Sequence, residues 1–75
     1  MQRYANRSGQ SGVVAYQIGT DSITVEFTGG VRYVYTIGSA GAANIASMCK
    51  LAAEGRGLST FISQHVHDRY ARRLD

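Results

Sequence analysis

Ser22–Ile37 reads SITVEFTGGVRYVYTI, two alternating runs on either side of a glycine pair. Ile23, Val25 and Phe27 alternate with polar residues, and Val31, Tyr33, Tyr35 and Ile37 alternate after Gly29-Gly30. Period-two patterning around a tight turn predicts a β-hairpin. The faces decide the loop length, because residues opposite one another on antiparallel strands share a face. A two-residue turn would set both tyrosines beside Glu26 and Thr24. A three-residue loop, Thr28-Gly29-Gly30, pairs Phe27 with Val31, Val25 with Tyr33 and Ile23 with Tyr35. All the large apolar groups then share one side. Gly30 supplies the left-handed residue that such a loop needs. A slip of one residue would turn the whole apolar set toward water.

Working outward, Val13–Ile18 reads as a preceding strand, with Val14, Tyr16 and Ile18 inward. The connection Gly19-Thr20-Asp21-Ser22 places Ile18 opposite Ile23, Tyr16 opposite Val25 and Val14 opposite Phe27. The opposite face carries Gln17, Thr24, Glu26, Thr28, Arg32, Val34 and Thr36, a mainly polar set that can stay wet. Residues 1–12, MQRYANRSGQSG, lack apolar periodicity and are expected as a mobile arm, in which Arg3 and Arg7 add charge. Residues 13–75 are expected as the folded domain.

Gly38-Ser39 ends the last strand, with Ser39 expected as a helix N-cap. Ala40–Glu54 reads as a helix with Ile45, Met48, Cys49 and Ala52 on one face, and Gly55 suits its C-terminal stop. Leu58–Leu74 reads as a second helix whose apolar stripe holds Leu58, Phe61, Ile62 and Val66. The fold expected is therefore α+β, a three-stranded antiparallel β-meander followed by two α-helices packed on one face, in the order β-β-β-α-α. The expected core is Val14, Tyr16, Ile18, Ile23, Val25, Phe27, Val31, Tyr33, Tyr35, Ile37, Ile45, Met48, Cys49, Ala52, Phe61, Ile62 and Val66.

Seventy-five residues make one small domain. Such a domain supports a stability of only ~3–5 kcal/mol, so a second copy is one route to more. Cys49 is the single cysteine, which suits a small core residue in a reducing compartment. The formal net charge is +3, carried by seven arginines and one lysine. No apolar run approaches a membrane span and no signal-peptide core follows the start, so a cytoplasmic chain is expected.

The chemistry-bearing residues are few. On a regular helix His65 and His67 project about 200° apart and cannot grip one metal ion together. No nucleophile elbow, phosphate loop or dinucleotide fingerprint occurs, so no enzyme and no cofactor are expected. Tyr33 and Tyr35 on one side of a strand could stack bases, but the register places them in the core. The second helix turns basic toward its end, where His65, Arg69, Arg72 and Arg73 fall within about 100° on a helical wheel. With Arg56 in the Gly55-Arg56-Gly57 connector, they would make a ridge able to hold phosphates.

Ile23-x-Val25-x-Phe27, a glycine and Tyr33-x-Tyr35 together resemble the centre of the KTSC domain family. Tyr16, seven residues before Ile23, and the late set Phe61-Ile62, Val66 and Tyr70 extend the likeness over roughly residues 13–72. The family's Val-Pro step is Ile37-Gly38 here, and the chain has no proline. The family occurs as single-domain bacterial and phage-like proteins and at the C-terminus of some lysyl-tRNA synthetases. The resemblance implies an RNA-binding role without catalytic residues or cofactor. Two functions are thus expected in the alternative. One is a nucleic-acid-binding module using an arginine-rich C-terminal helix. The other is a protein-interaction or homo-oligomerisation module that binds no nucleic acid. Neither a membrane nor a small-molecule substrate is evident as a partner.

Overall fold

A computed structural model of the chain describes residues 1–7, 9 and 11–74. Ser8, Gln10 and Asp75, which belong to the expected arm and domain, lie outside the described residues. The strands are β1 (Gln2–Arg3), β2 (Val13–Ile18), β3 (Ser22–Phe27), β4 (Arg32–Thr36) and β5 (Arg72–Leu74). The helices are α1 (Ile37–Ala40), α2 (Ala42–Glu54) and α3 (Leu58–Phe61), the last running into a π-helical turn, Ile62–Val66. All the strands pair antiparallel in one five-stranded sheet of order β1-β2-β3-β4-β5. The chain is α+β, but a five-stranded sheet with three helices replaces the expected three-stranded meander with two.

The central hairpin follows its sequence pattern. Ile23 pairs with Tyr35 and Val25 with Tyr33. Across the loop Phe27 N–H donates to the Val31 carbonyl at 2.8 Å, and Gly30 N–H donates to the Phe27 carbonyl at 3.0 Å. The loop is thus Thr28-Gly29-Gly30, and both glycines take positive φ, 98° and 93°. Between β2 and β3, Ile18 pairs with Ile23 and Tyr16 with Val25, but a bulge follows. Val13, not Val14, lies opposite Phe27, and Ala15 lies opposite Glu26. The extra residue leaves Val14 exposed, while Val13 is sealed in the core.

Two corrections come from the ends of the sheet. The segment expected as an arm supplies β1, and its Tyr4 is buried. The second helix stops at the π-helical turn instead of running to Leu74. Arg69 N–H closes a turn on the Val66 carbonyl, Ala71 N–H donates to the Val34 carbonyl, and β5 pairs with β4. The reason is the edge of β4. Its unpaired N–H and C=O groups gain a ladder from β5, and that tertiary gain outweighs the helix propensity of Ala, Arg and Leu.

The helices pack on the face that carries Ile23, Val25 and Tyr35, and Ile45, Met48, Ala52, Leu58, Ile62 and Val66 close the core from their side. The first helix begins earlier than expected. Thr36 is its N-cap, accepting from Ser39 N–H, while Ser39 Oγ accepts from Thr36 N–H, both at 3.0 Å. Gly41, at φ 95°, then separates α1 from α2. Ile18 and Ile37, expected inside, are exposed at the end of the sheet. Cys49 is half-buried, and burial pushes its thiol pKa up. Among the described residues no helix is long and apolar enough to cross a membrane.

Candidate functional site

Strand pairing sorts the sheet into two faces, because side chains alternate along each strand. On the helix side stand Gln2, Tyr16, Val25, Tyr33 and Arg73, one from each strand. On the opposite side stand Arg3, Ala15, Glu26, Arg32 and Leu74 in one row, and Gln17, Thr24, Val34 and Arg72 in the next. No described helix packs on this second face.

Its chemistry is a neutral centre between basic margins. Ala15, Thr24 and Val34 are half-buried in the middle of the sheet. Arg3 and Arg72 are exposed, one on each edge strand. Four strand spacings of about 4.8 Å put them roughly 19 Å apart. Arg32 Nε lies 3.4 Å from Glu26 Oε1 across the β3–β4 pair, so the one acid among the described residues of the face already has a basic neighbour. Both side chains are solvated, and such a pair contributes about 0–1 kcal/mol. Its main effect is to leave the face positive.

The five residues expected as a basic ridge are dispersed. Arg56 is exposed in the α2–α3 connector, flanking a shallow depression with Arg7 and Glu54. His65 is exposed on the π-helical turn, its ring 4.5 Å from that of Phe61. Arg69 sits in the turn after it. Arg72 and Arg73, adjacent in β5, project to opposite faces of the sheet. The guanidinium of Arg73 lies over the Tyr33 ring, 5.9 Å from its centroid. Residues 72–74 form a strand and not the end of an arginine-rich helix, so the ridge does not exist, and no feature of the described residues supports nucleic-acid binding.

The tyrosines belong to the helix-side face. Tyr35 is 1% exposed, and Tyr33 is half-buried beside it. Tyr33 packs against Tyr70 with the rings tilted at 51° and 4.6 Å between centroids, and it meets Phe27 edge-on at 5.7 Å. Burial, and then the nearby Tyr33 and Tyr70 hydroxyls, push the Tyr35 pKa up to about 12. None of the outward positions carries an aromatic ring, so the open face offers no base-stacking platform. No group of three or more His, Cys, Asp and Glu side chains gathers at a metal-binding distance among the described residues.

The outward set of β2–β4 was legible from alternation. Arg3 and Leu74 were not, since they depend on strands too short to show a period. The sole signal for the first was Tyr4, a large aromatic in an otherwise polar segment. The chain matches no family model, no curated protein and no solved structure.

Proposed function

We propose that this chain is a protein-interaction module that docks an acidic partner protein on the uncovered face of its sheet. The observation that carries the reading is the arrangement of that face. Ala15, Thr24 and Val34 form a neutral centre, and Arg3, Arg32 and Arg72 stand around it against Glu26, the single acid among the described residues of the face. Arginine is enriched in protein interfaces, whose charged groups gather at the rim and not at the core. Like charge disfavours a second copy on the same face. The face is also small. At roughly 19 Å by 20 Å, it falls well below the ~800 Å² per partner of a stable interface, which suits a transient contact.

The test is amide mapping by NMR with an acidic peptide rich in Glu and Asp as the probe. Shifts centred on Arg3, Thr24, Val34 and Arg72 are expected. The pair Arg3→Glu and Arg72→Glu should weaken binding roughly tenfold or more, by converting attraction to repulsion. Shifts spread over Arg56, Arg69 and Lys50 would mean unselective attraction and overturn the reading. So would an RNA homopolymer that moved the same face residues as strongly as the peptide.

A further inference from the structure

We propose that the acidic partner is anchored by one aliphatic side chain, seated in a hollow at the β1–β2 corner of the open face, with the carboxylate of an adjacent residue paired to Arg3. This anchor rests on the reading of that face as the docking surface, and it names what the partner must carry there.

The hollow is made by the bulge in β2. Val13 lies opposite Phe27 and Ala15 opposite Glu26, so Val14 is an extra residue between an inward neighbour and an outward one. A bulge re-aims the side chain that it adds. Val14 is left 40% exposed and lines, with Ala15, a space of about 490 Å³. Met1, 52% exposed, lines the same space, as do Arg3, Ala5 and Asn6. Two large exposed hydrophobic side chains thus share one hollow, and the short side chains of Ala5 and Ala15 leave it open. Its volume falls within the ~300–1,000 Å³ of sites that take small ligands or single anchoring groups.

The walls are held before anything binds. Tyr4, which also lines the hollow, donates its N–H to the Val14 carbonyl at 3.0 Å. Its hydroxyl accepts the Leu58 N–H at 3.3 Å, which ties this wall to the first residue of α3. Asn6 has φ 53°, the one positive φ among the described non-glycine residues. Its side chain closes on Ser11, Nδ2 donating to the carbonyl at 3.5 Å and Oδ1 accepting from the N–H at 3.1 Å. A preformed hollow spares the ordering cost that binding otherwise carries.

Charge selects the occupant. Arg3 is exposed and pairs with no carboxylate among the described residues, and no acidic residue lines the hollow. A second copy would bring another positive face and is disfavoured there. Two other depressions lack one half of the requirement. That lined by Met1, Gln2, Tyr16, Gln17 and Ile18 has an apolar wall and no charged side chain. That lined by Arg7, Glu54 and Arg56 has charge and no apolar wall. The corner combines both, so the fitting partner segment is acidic with an embedded aliphatic residue.

The experiment uses the full chain and three short peptides, followed by amide and methyl NMR. The first is built of Glu, Asp and Ser around one central leucine. The second has alanine at the centre, and the third has amides in place of the carboxylates. The leucine peptide should bind about tenfold more tightly than the alanine peptide, and its methyl groups should give NOEs to Val14 and Met1. The amide peptide should bind about tenfold more weakly than the leucine peptide. Val14→Ser should bring the leucine and alanine peptides to within about twofold of each other. Equal affinities in the unsubstituted chain, with shifts still centred on Thr24, Val34 and Arg72, would overturn the anchor and leave the face as the docking surface. An absence of shifts from either acidic peptide overturns both. Met1 and Val14 shifts that grow with protein concentration alone would seat a second copy in the hollow and overturn the assignment. Should Val14→Ser fail to fold, the unsubstituted chain decides, because missing leucine NOEs to Val14 and Met1 at saturation also overturn the anchor.

Discussion

On one side of the sheet Ile23, Val25 and Tyr35 are sealed under the helices. One step along the same strands, Thr24, Glu26 and Val34 stand on a face that no described helix covers. The two sets share a backbone and differ only in which side of the pleat they occupy. Stability is therefore concentrated on the alternate positions of β3 and β4 that point inward, and the outward ones are free to carry recognition. The difference means that the two roles can be altered separately, one residue apart.

The comparison breaks most sharply at Tyr35. Replacing this 1% exposed ring with alanine should cost about 3–5 kcal/mol, enough to unfold a domain of this size. Urea melts followed by circular dichroism check it, against Thr24→Ala on the other face, which should stay within about 0.5 kcal/mol. Phe27→Ala, although Phe27 is expected in the core from sequence, should cost less than Tyr35→Ala, because Phe27 is only half-buried at the sheet margin.

The same residue gives a pH test. A tyrosine with an unfolded pKa near 10 and a folded pKa of about 12 keeps its proton longer in the native state. The native state then binds more protons between those values, so stability is fully present below pH 10 and falls as pH rises toward 12. About 2–3 kcal/mol should be lost across that window, and Tyr35→Phe should flatten this part of the profile. No outward residue should affect it.

Next come the contacts of the N-terminal segment, Gln2–Arg7. Gly55→Ala places a Cβ against Ala5 at a backbone φ of 77°, and should destabilise the chain by about 1–3 kcal/mol. Tyr4→Phe leaves the Leu58 N–H without its acceptor and should cost about 1 kcal/mol. Thermal melts rank the two. The smallest effect belongs to the open face. Glu26→Gln should change stability by less than about 1 kcal/mol, while strengthening binding of an acidic peptide by removing the only like charge among the described residues of the face.

What could be read from the sequence followed how local its cause was. The β3–β4 register rests on alternation and a glycine pair within sixteen residues, and it was legible. So was the stop of α2 at Gly55, whose left-handed backbone only glycine adopts at no cost. The bulge was not, because Val13 and Val14 are the same residue and neither prefers the inside. Nor was β5, since Ala71-Arg72-Arg73-Leu74 suits a helix and becomes a strand only beside the open edge of β4. That one error also assembled the arginine ridge. A helix would have gathered Arg69, Arg72 and Arg73, whereas a strand sends Arg72 and Arg73 to opposite faces. The outward residues of the candidate site on β2–β4 were visible, and the placement of its two margins, Arg3 on β1 and Arg72 on β5, was not. The residues that carry the KTSC resemblance, Tyr33 and Tyr35, were read as core and lie on the helix-side face.

The order of strands across the sheet has a kinetic consequence. Each strand pairs only with those next to it along the chain, so the ladder can grow from the central hairpin without closing long loops. Loop-closure entropy falls mainly on β5, which follows the helices, and on the bond between Tyr4 and Leu58, 54 residues apart. The hairpin and β2 should therefore acquire structure before the transition state, and the N-terminal segment that carries Tyr4 should dock after it. Tyr4→Phe should accelerate unfolding while leaving the refolding rate nearly unchanged.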